Sequence, residues 1–338
     1  MHGLRFESAI PLTAHRVEIT AGGGTNSRPH DAEAGGSDYR ILAGEPRTCP
    51  RSAPPGRILA EYADDGFAFW AAEATDDPGR WHLRYAGICD VTIDRSQGLI
   101  TVHRAPEADP GLVSVFLEGG VLAHVLSIEG RLVLHASAVQ VGDVALAIVG
   151  PSGTGKSTLA ALLCAAGAQL VADDALRVDA TASGAICYVG GQRLRLRPAA
   201  ASLGRTIDGA ALGKTADGRT AVYPRSSAVP SLKLGAGVLP VPTRDHQSLQ
   251  VERLDAKARL EELLRHPRLT MWRASEPIAG LFRLTADVAA VLPIYRVRIP
   301  WGPPFKPGLA DELVESVGFS SDDLSDASRP GDRPARAV

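Results

Sequence analysis

Cysteine is scarce in this chain, with four in 338 residues, Cys49, Cys89, Cys164 and Cys187, and none stands in C-x-x-C spacing. That argues against a disulfide framework and a cysteine-rich zinc site, and it fits a reducing cytoplasm. Aromatic residues make up only 5% and are dispersed, so no base-stacking platform for nucleic acid is visible. Charge of one sign is also lacking: the formal net charge is -2, which gives no overall pull toward nucleic acid or an acidic membrane. No stretch approaches the ~20 apolar residues of a membrane span. Residues 1–7 have no apolar core of a signal peptide. The expectation is a cytoplasmic protein with no nucleic-acid or membrane partner.

What is present is globular composition, 45% hydrophobic and 22% charged, enough for one large domain or two modest ones. The most informative stretch is Gly150-Pro151-Ser152-Gly153-Thr154-Gly155-Lys156-Ser157-Thr158, which fits the phosphate-loop pattern G-x-x-x-x-G-K-[ST] at every fixed position. Residues 144–149 ahead of it form a short apolar run that reads as a buried strand, and residues 159–166 behind it are good helix formers closed by Gly167. Strand, glycine loop and helix together predict a site where backbone N–H groups and a helix N-terminus hold a polyphosphate. Lys156 would reach the β- and γ-phosphates, and the Ser157 hydroxyl would ligate Mg²⁺.

Around this stretch the chain divides by composition and period. Residues 1–56 read as a flexible leader, because Gly, Pro, Ser, Arg and Asp dominate from Ala21 to Pro55. Residues 57–110 hold five short β-type runs split by turn signals and predict a small antiparallel β subdomain. After Pro110, Val113, Leu117, Val121 and Val125 recur at i, i+4 and predict an amphipathic helix ending near Gly130. Residues 132–139 read as one strand, which Gly142-Asp143 would turn back antiparallel onto the phosphate-loop strand, giving a mixed sheet. Gln169-Leu170-Val171-Ala172 is read as a strand parallel to the loop strand and ending in Asp173-Asp174 at the sheet edge where the loop opens. Residues 204–219 read as a loop, 256–265 and 275–291 as helices, and 294–300 ends in a last alternating strand. The fold class is therefore α/β: a phosphate-loop domain over 111–318 with a mixed β-sheet, preceded by the small, mainly β subdomain and followed by a loose tail over 319–338.

Phosphoryl transfer needs a phosphate cradle, a metal ligand, a group for the acceptor proton and cations facing the transferred group. Asp173 and Asp174 point opposite ways on extended backbone, so that one can hold Mg²⁺ while the other faces an acceptor. His135, in an otherwise apolar strand, can orient or share a proton with the aspartate at the acceptor. Arg193, Arg195 and Arg197 alternate with leucines, so the three guanidinium groups share one face and can bind phosphate; Arg225 is a weaker candidate of the same kind.

The series Leu134-His135-Ala136-Ser137-Ala138-Val139, then 150–158, then Leu170-Val171-Ala172-Asp173-Asp174 resembles the catalytic domain of HPr kinase/phosphorylase, and more closely its bacterial homologues that tailor lasso peptides and related products. The resemblance covers about residues 132–203 in its motif-rich part. It implies a fold related to phosphoenolpyruvate carboxykinase, use of ATP and Mg²⁺, and phosphorylation of a serine hydroxyl on a peptide or small protein. By the same resemblance the glycine loop and Lys156 bind nucleotide, Ser157 and Asp174 sit at the metal, Asp173 with His135 handles the acceptor proton, Arg195 faces the developing charge, and the chain forms a homo-oligomer. Two other classes compete with it, a kinase of a small-molecule alcohol and a non-catalytic ATP-dependent switch in a biosynthetic complex.

Overall fold

A computed structural model describes residues 1–10, 39–244, 248–302 and 304–326. The five predicted hairpin strands are present as β3 (Arg57–Ala63), β4 (Ala68–Glu73), β5 (Arg80–Tyr85), β6 (Cys89–Asp94) and β7 (Leu99–Arg104), an antiparallel meander. Aspartates at the turns make it local: Asp64 Oδ1 accepts from the amides of Gly66 and Phe67 at 2.9 and 2.7 Å, and Asp94 Oδ1 accepts from Gln97 N at 3.0 Å.

The expectation of a flexible leader over 1–56 is corrected in part. Phe6–Ser8 (β1) and Tyr39–Ala43 (β2) extend the sheet beyond β7, with β2 parallel to β7 and β1 parallel to β2, to give seven strands in the order β1-β2-β7-β6-β5-β4-β3. The cause is local alternation inside a polar region: Tyr39 and Ile41 point into the core at 1% and 0% exposure, while Arg40 and Leu42 face out. Residues 44–56 carry no helix or strand, and residues 11–38 lie outside the described residues.

Against this sheet lies a helical stretch of 19 residues, α1 (Pro110–Phe116), a π-helical turn (Leu117–Val121) and α2 (Leu122–Ile128). Asp109 caps it by accepting from Gly111 N at 2.7 Å, with Pro110 at the first helical position. With a mean hydropathy of 1.8 the stretch is long and apolar enough to cross a membrane, contrary to the expectation that no such run exists. It is nevertheless core: Leu117, Val121, Leu122, Val125 and Leu126 are at most 1% exposed and pack on Leu83, Val91, Ile93 and Ile100 of the sheet. Each such burial contributes about 1.5–3 kcal/mol.

The second unit is built on β8 (Leu132–Leu134), β9 (Ala136–Val141), β10 (Val144–Val149), β11 (Gln169–Ala172), β12 (Leu176–Thr181), β13 (Gly184–Tyr188), β17 (Ser231–Thr243), β18 (Gln250–Arg253) and β19 (Ile294–Pro300). The order is β11-β9-β10-β17-β13-β12-β8, with β19 added to β17 and β18 to β19. The predicted β9–β10 hairpin is antiparallel and the sheet is mixed, turning through Gly142 at φ 59°. The single strand expected over 132–139 is broken at His135, whose N–H donates to His266 O at 2.9 Å instead of to a strand partner. β8 pairs with β12 and β9 with β10 and β11, so the sheet closes back on itself through one bent strand.

β11 runs parallel to β10, as read from the sequence, with β9 between them. The tight hairpin places β9 against that edge of β10 first, and β11 pairs antiparallel with the far edge of β9. Both β10 and β11 still run the same way, so Gly150 and Asp173 leave the sheet at one edge. Helix α3 (Lys156–Ala165) connects them and packs with Leu170, Leu194 and Leu313.

Residues 204–219, expected as a loop, hold the end of a 3-10 helix (Pro198–Thr206) and β15 (Ala211–Lys214), which pairs with β16 (Thr220–Tyr223) beside β14 (Leu194–Leu196). All four residues of β15 are exposed, so no apolar alternation marked it. Helices α4 (Ala256–Arg265) and α5 (Ser275–Val291) match the expected ranges, followed by α6 (Leu309–Ser316). The expected loose tail begins instead with α7 (Asp322–Asp326), anchored by Leu324 at 1% exposure; residues 327–338 lie outside the described residues.

Candidate functional site

The loop between β10 and α3 turns through Gly155 at φ 88°, a left-handed conformation that suits glycine. A second reason for glycine is space, because a Cβ there would collide with the indole of Trp301, which lies across the loop. Replacing Gly155 with Ala is therefore expected to cost about 1–3 kcal/mol in backbone strain alone. Thermal unfolding together with ATP titration checks it: both a lower Tm and weaker binding are expected.

Lys156, 6% exposed, folds back to donate to Gly150 O at 2.8 Å and Pro151 O at 2.9 Å. Burial lowers its pKa to about 8, against the opposing pull of Asp173 and Asp174. Asp173 lies directly beneath. Its Oδ1 accepts from Ser157 Oγ at 2.8 Å and Ser137 Oγ at 2.6 Å, and its Oδ2 accepts from Arg195 N at 3.1 Å.

Asp174 faces the other way, from a backbone at φ 73°, uncommon for a non-glycine residue. Its Oδ2 accepts from Arg268 Nη2 at 2.9 Å and pairs with Arg195 Nη2 at 3.4 Å, while Oδ1 is 3.4 Å from His135 Nδ1. Burial alone would raise this carboxyl, but Arg268, then Arg195 and His135, outweigh it and hold the group well below the usual carboxylate range. His135 Nδ1 also lies 3.1 Å from Asp174 O, an acceptor only, so the ring proton sits on Nδ1 and Nε2 is the basic nitrogen. Burial holds the His135 pKa below its ordinary value despite Asp174, so the ring is neutral at neutral pH.

His135, Lys156, Ser157, Asp173, Asp174 and Arg195 line one cavity of about 650 Å³ together with Arg197, Arg219, Arg244 and Trp301. Five cations, Lys156, Arg195, Arg197, Arg219 and Arg244, thus surround two carboxylates, a balance suited to a polyanion. Among the described residues no group of three or more His, Cys, Asp and Glu side chains converges as a protein-only metal cage. Ser157 and Asp173 offer instead a hydroxyl and one carboxylate, the donor set of a Mg²⁺ shared with phosphate oxygens.

No protein-family model matches the chain, and no curated protein matches it. Among solved structures, the Hpr(Ser) kinase/phosphatase from Coxiella burnetii is similar over 51% of this chain and 87% of that chain, at 14% sequence identity and a TM-score of 0.26.

The structure places His135, the loop residues Ser152, Gly153, Gly155, Lys156, Ser157 and Thr158, and Asp173, Asp174 and Arg195 around one cavity, which Gly150, Pro151 and Thr154 do not line. It reverses one pairing. His135 is coupled to Asp174, and Ser157 to Asp173, because two consecutive side chains leave β11 on opposite sides and only Asp173 turns under α3. The arginine run is also corrected. Arg195 and Arg197 line the cavity, but Arg193 Nη2 is held by Glu118 Oε2 at 2.8 Å and ties β14 to the π-helical turn. Arg225 lies outside, 3.7 Å from Asp208 at the surface. Sequence reading missed Arg268, Arg244 and Trp301. Arg268 reaches Asp174 across 94 residues of chain through the bridge between Leu134 and Pro267, and no local pattern marks it.

Proposed function

We propose that the protein is an ATP-dependent phosphotransferase that moves the γ-phosphoryl group to a hydroxyl. The acceptor is a serine of a peptide or small protein, met in the tailoring of a ribosomally made lasso-type peptide. The observation that carries the reaction class is the split of the acidic pair, Asp173 on the Ser157 hydroxyl under the phosphate loop and Asp174 on His135 beside it. The motif series in which these residues stand supports the serine acceptor.

The residues divide the labour. The loop amides and Lys156 hold the β- and γ-phosphates, and Arg195 and Arg197 face the charge that spreads over the transferred group. Ser157 and Asp173 would hold Mg²⁺, which when bound neutralises charge on the phosphate oxygens. Asp174 orients the acceptor hydroxyl by accepting its hydrogen bond, and the neutral His135 ring beside it has a basic nitrogen for the proton. An O–P bond forms to the acceptor oxygen as the bond from the γ-phosphorus to the β–γ bridging oxygen breaks, ADP leaves, and the hydroxyl proton passes to the Asp174–His135 pair.

The direct test incubates the full chain with γ-labelled ATP, Mg²⁺ and serine-containing peptides, with mass spectrometry of the products. Gain of one phosphate on serine is expected; nucleotide bound with no phosphate ester formed on any hydroxyl removes the reading. The pKa of Lys156 adds a pH dependence. A lysine titrating at about 8 is mostly charged at pH 7 and mostly neutral at pH 9, so ATP affinity should weaken as pH rises through that value. The loss is up to about tenfold by pH 9, and titration calorimetry at both pH values reads it.

A further inference from the structure

Asp174 and Arg195 also line a second cavity, of about 310 Å³, on the side away from the phosphate loop. Aromatics are sparse in the chain, yet three of its seven phenylalanines, Phe67, Phe69 and Phe116, gather here with Tyr85. Phe67 stacks on Phe116 at 5.7 Å between ring centroids, and Tyr85 lies 4.8 Å from both Phe69 and Phe116. His124 completes the wall; burial lowers its pKa to about 4, so it adds no charge.

Two polar atoms are left over in this apolar setting. The Tyr85 hydroxyl and Arg268 Nε are buried with no hydrogen-bond partner among the described residues, and Tyr85 is 4% exposed. An unpaired buried polar atom is destabilising, and a ligand with a polar group can pair it. The helix is also shaped to the cavity. The π-helical turn sets Gly119 and Gly120 against it, where a Cβ on Gly119 would lie 3.1 Å from Asp174 Oδ2 and one on Gly120 would lie 2.5 Å from the Tyr85 hydroxyl. Turns of this kind are frequent at functional sites.

We infer that this cavity receives the phosphoryl acceptor, and that the acceptor is a hydroxyl carried beside an aromatic or large apolar group. The apolar group lies in the cavity against the wall formed by Phe67, Tyr85 and Phe116 while the hydroxyl reaches Asp174 from the side opposite the nucleotide. The volume is at the low end for ligand sites and suits a body about one aromatic residue in size. A free small alcohol and an unfolded peptide with an apolar residue next to its serine share this chemistry; a serine on the face of a folded protein does not. The inference rests on the phosphotransferase reading.

The experiment compares label transfer from γ-labelled ATP to 2-phenylethanol, glycerol, a peptide with phenylalanine beside serine, and one with glycine there. The phenyl-bearing member of each pair should be preferred in kcat/KM by about 10–200-fold, and whichever pair is labelled better identifies the source. Val115→Trp, which intrudes on the cavity from α1, should remove most transfer while ATP affinity stays within about twofold. Equal labelling within both pairs, or unchanged transfer by Val115→Trp, overturns the cavity assignment and leaves the phosphotransferase intact. Transfer to none of the four, with ATP bound, removes both. Should Val115→Trp also lose ATP, Phe116→Leu decides: an unaltered preference for the phenyl acceptors overturns the assignment.

Discussion

Replacing Lys156 with alanine is expected to lower phosphoryl transfer by about 10²–10³-fold, the usual cost of one preorganised charge at a transition state. ATP affinity should fall with it. The lysine is 6% exposed and already holds two carbonyls of the loop, Gly150 O and Pro151 O, so its removal both strips charge from the cradle and frees the loop backbone. Single-turnover transfer and ATP titration on the same preparation check both parts. Retained transfer would sink the assignment of the loop as the phosphate cradle.

Asp174→Asn separates the second half of the site from the first. Transfer is expected to drop by about 10²–10⁴-fold, because the group that accepts the hydroxyl's hydrogen bond loses its charge. ATP affinity should be unchanged or slightly tighter, since one negative charge leaves a cavity that holds the triphosphate. Arg268 and Arg195 lose their shared partner, and the accompanying stability loss should be about 1–3 kcal/mol, readable by denaturant unfolding. Asp173→Asn makes the contrast: it touches Ser157, so the Mg²⁺ dependence of nucleotide binding is what should change. If the two variants behaved alike, the division of labour between the aspartates would be wrong.

The phosphate end of the site was legible because its chemistry is local. Strand, glycine loop and helix are contiguous, and Asp173-Asp174 follows within one crossover, so spacing alone brings them to one edge. The hairpin of β9 and β10 was readable for the same reason. What the sequence hid depends on distant chain. Arg268 belongs to the site only because Pro267 bridges to Leu134, and Trp301 only because β19 runs beside β17 up to the loop. That β9 lies between β10 and β11 was not marked either, since it follows from the hairpin taking that edge of β10. The strand at Tyr39–Ala43 was hidden by averaging, since five alternating residues inside a polar leader leave its mean composition almost unchanged.

The break in the strand at His135 has a further meaning. A backbone amide that has left its ladder is held by His266 O alone, and the same residue's ring is what couples to Asp174. Seam and chemistry thus coincide: the point where the ring of strands is stitched shut is also where a proton would change hands. Val133 packs into the core beneath the seven-stranded sheet, whereas Leu134 and Ala136 pack with Leu263 of α4 and Val288 of α5, so two separately packed masses abut at that seam and their fit sets the position of His135.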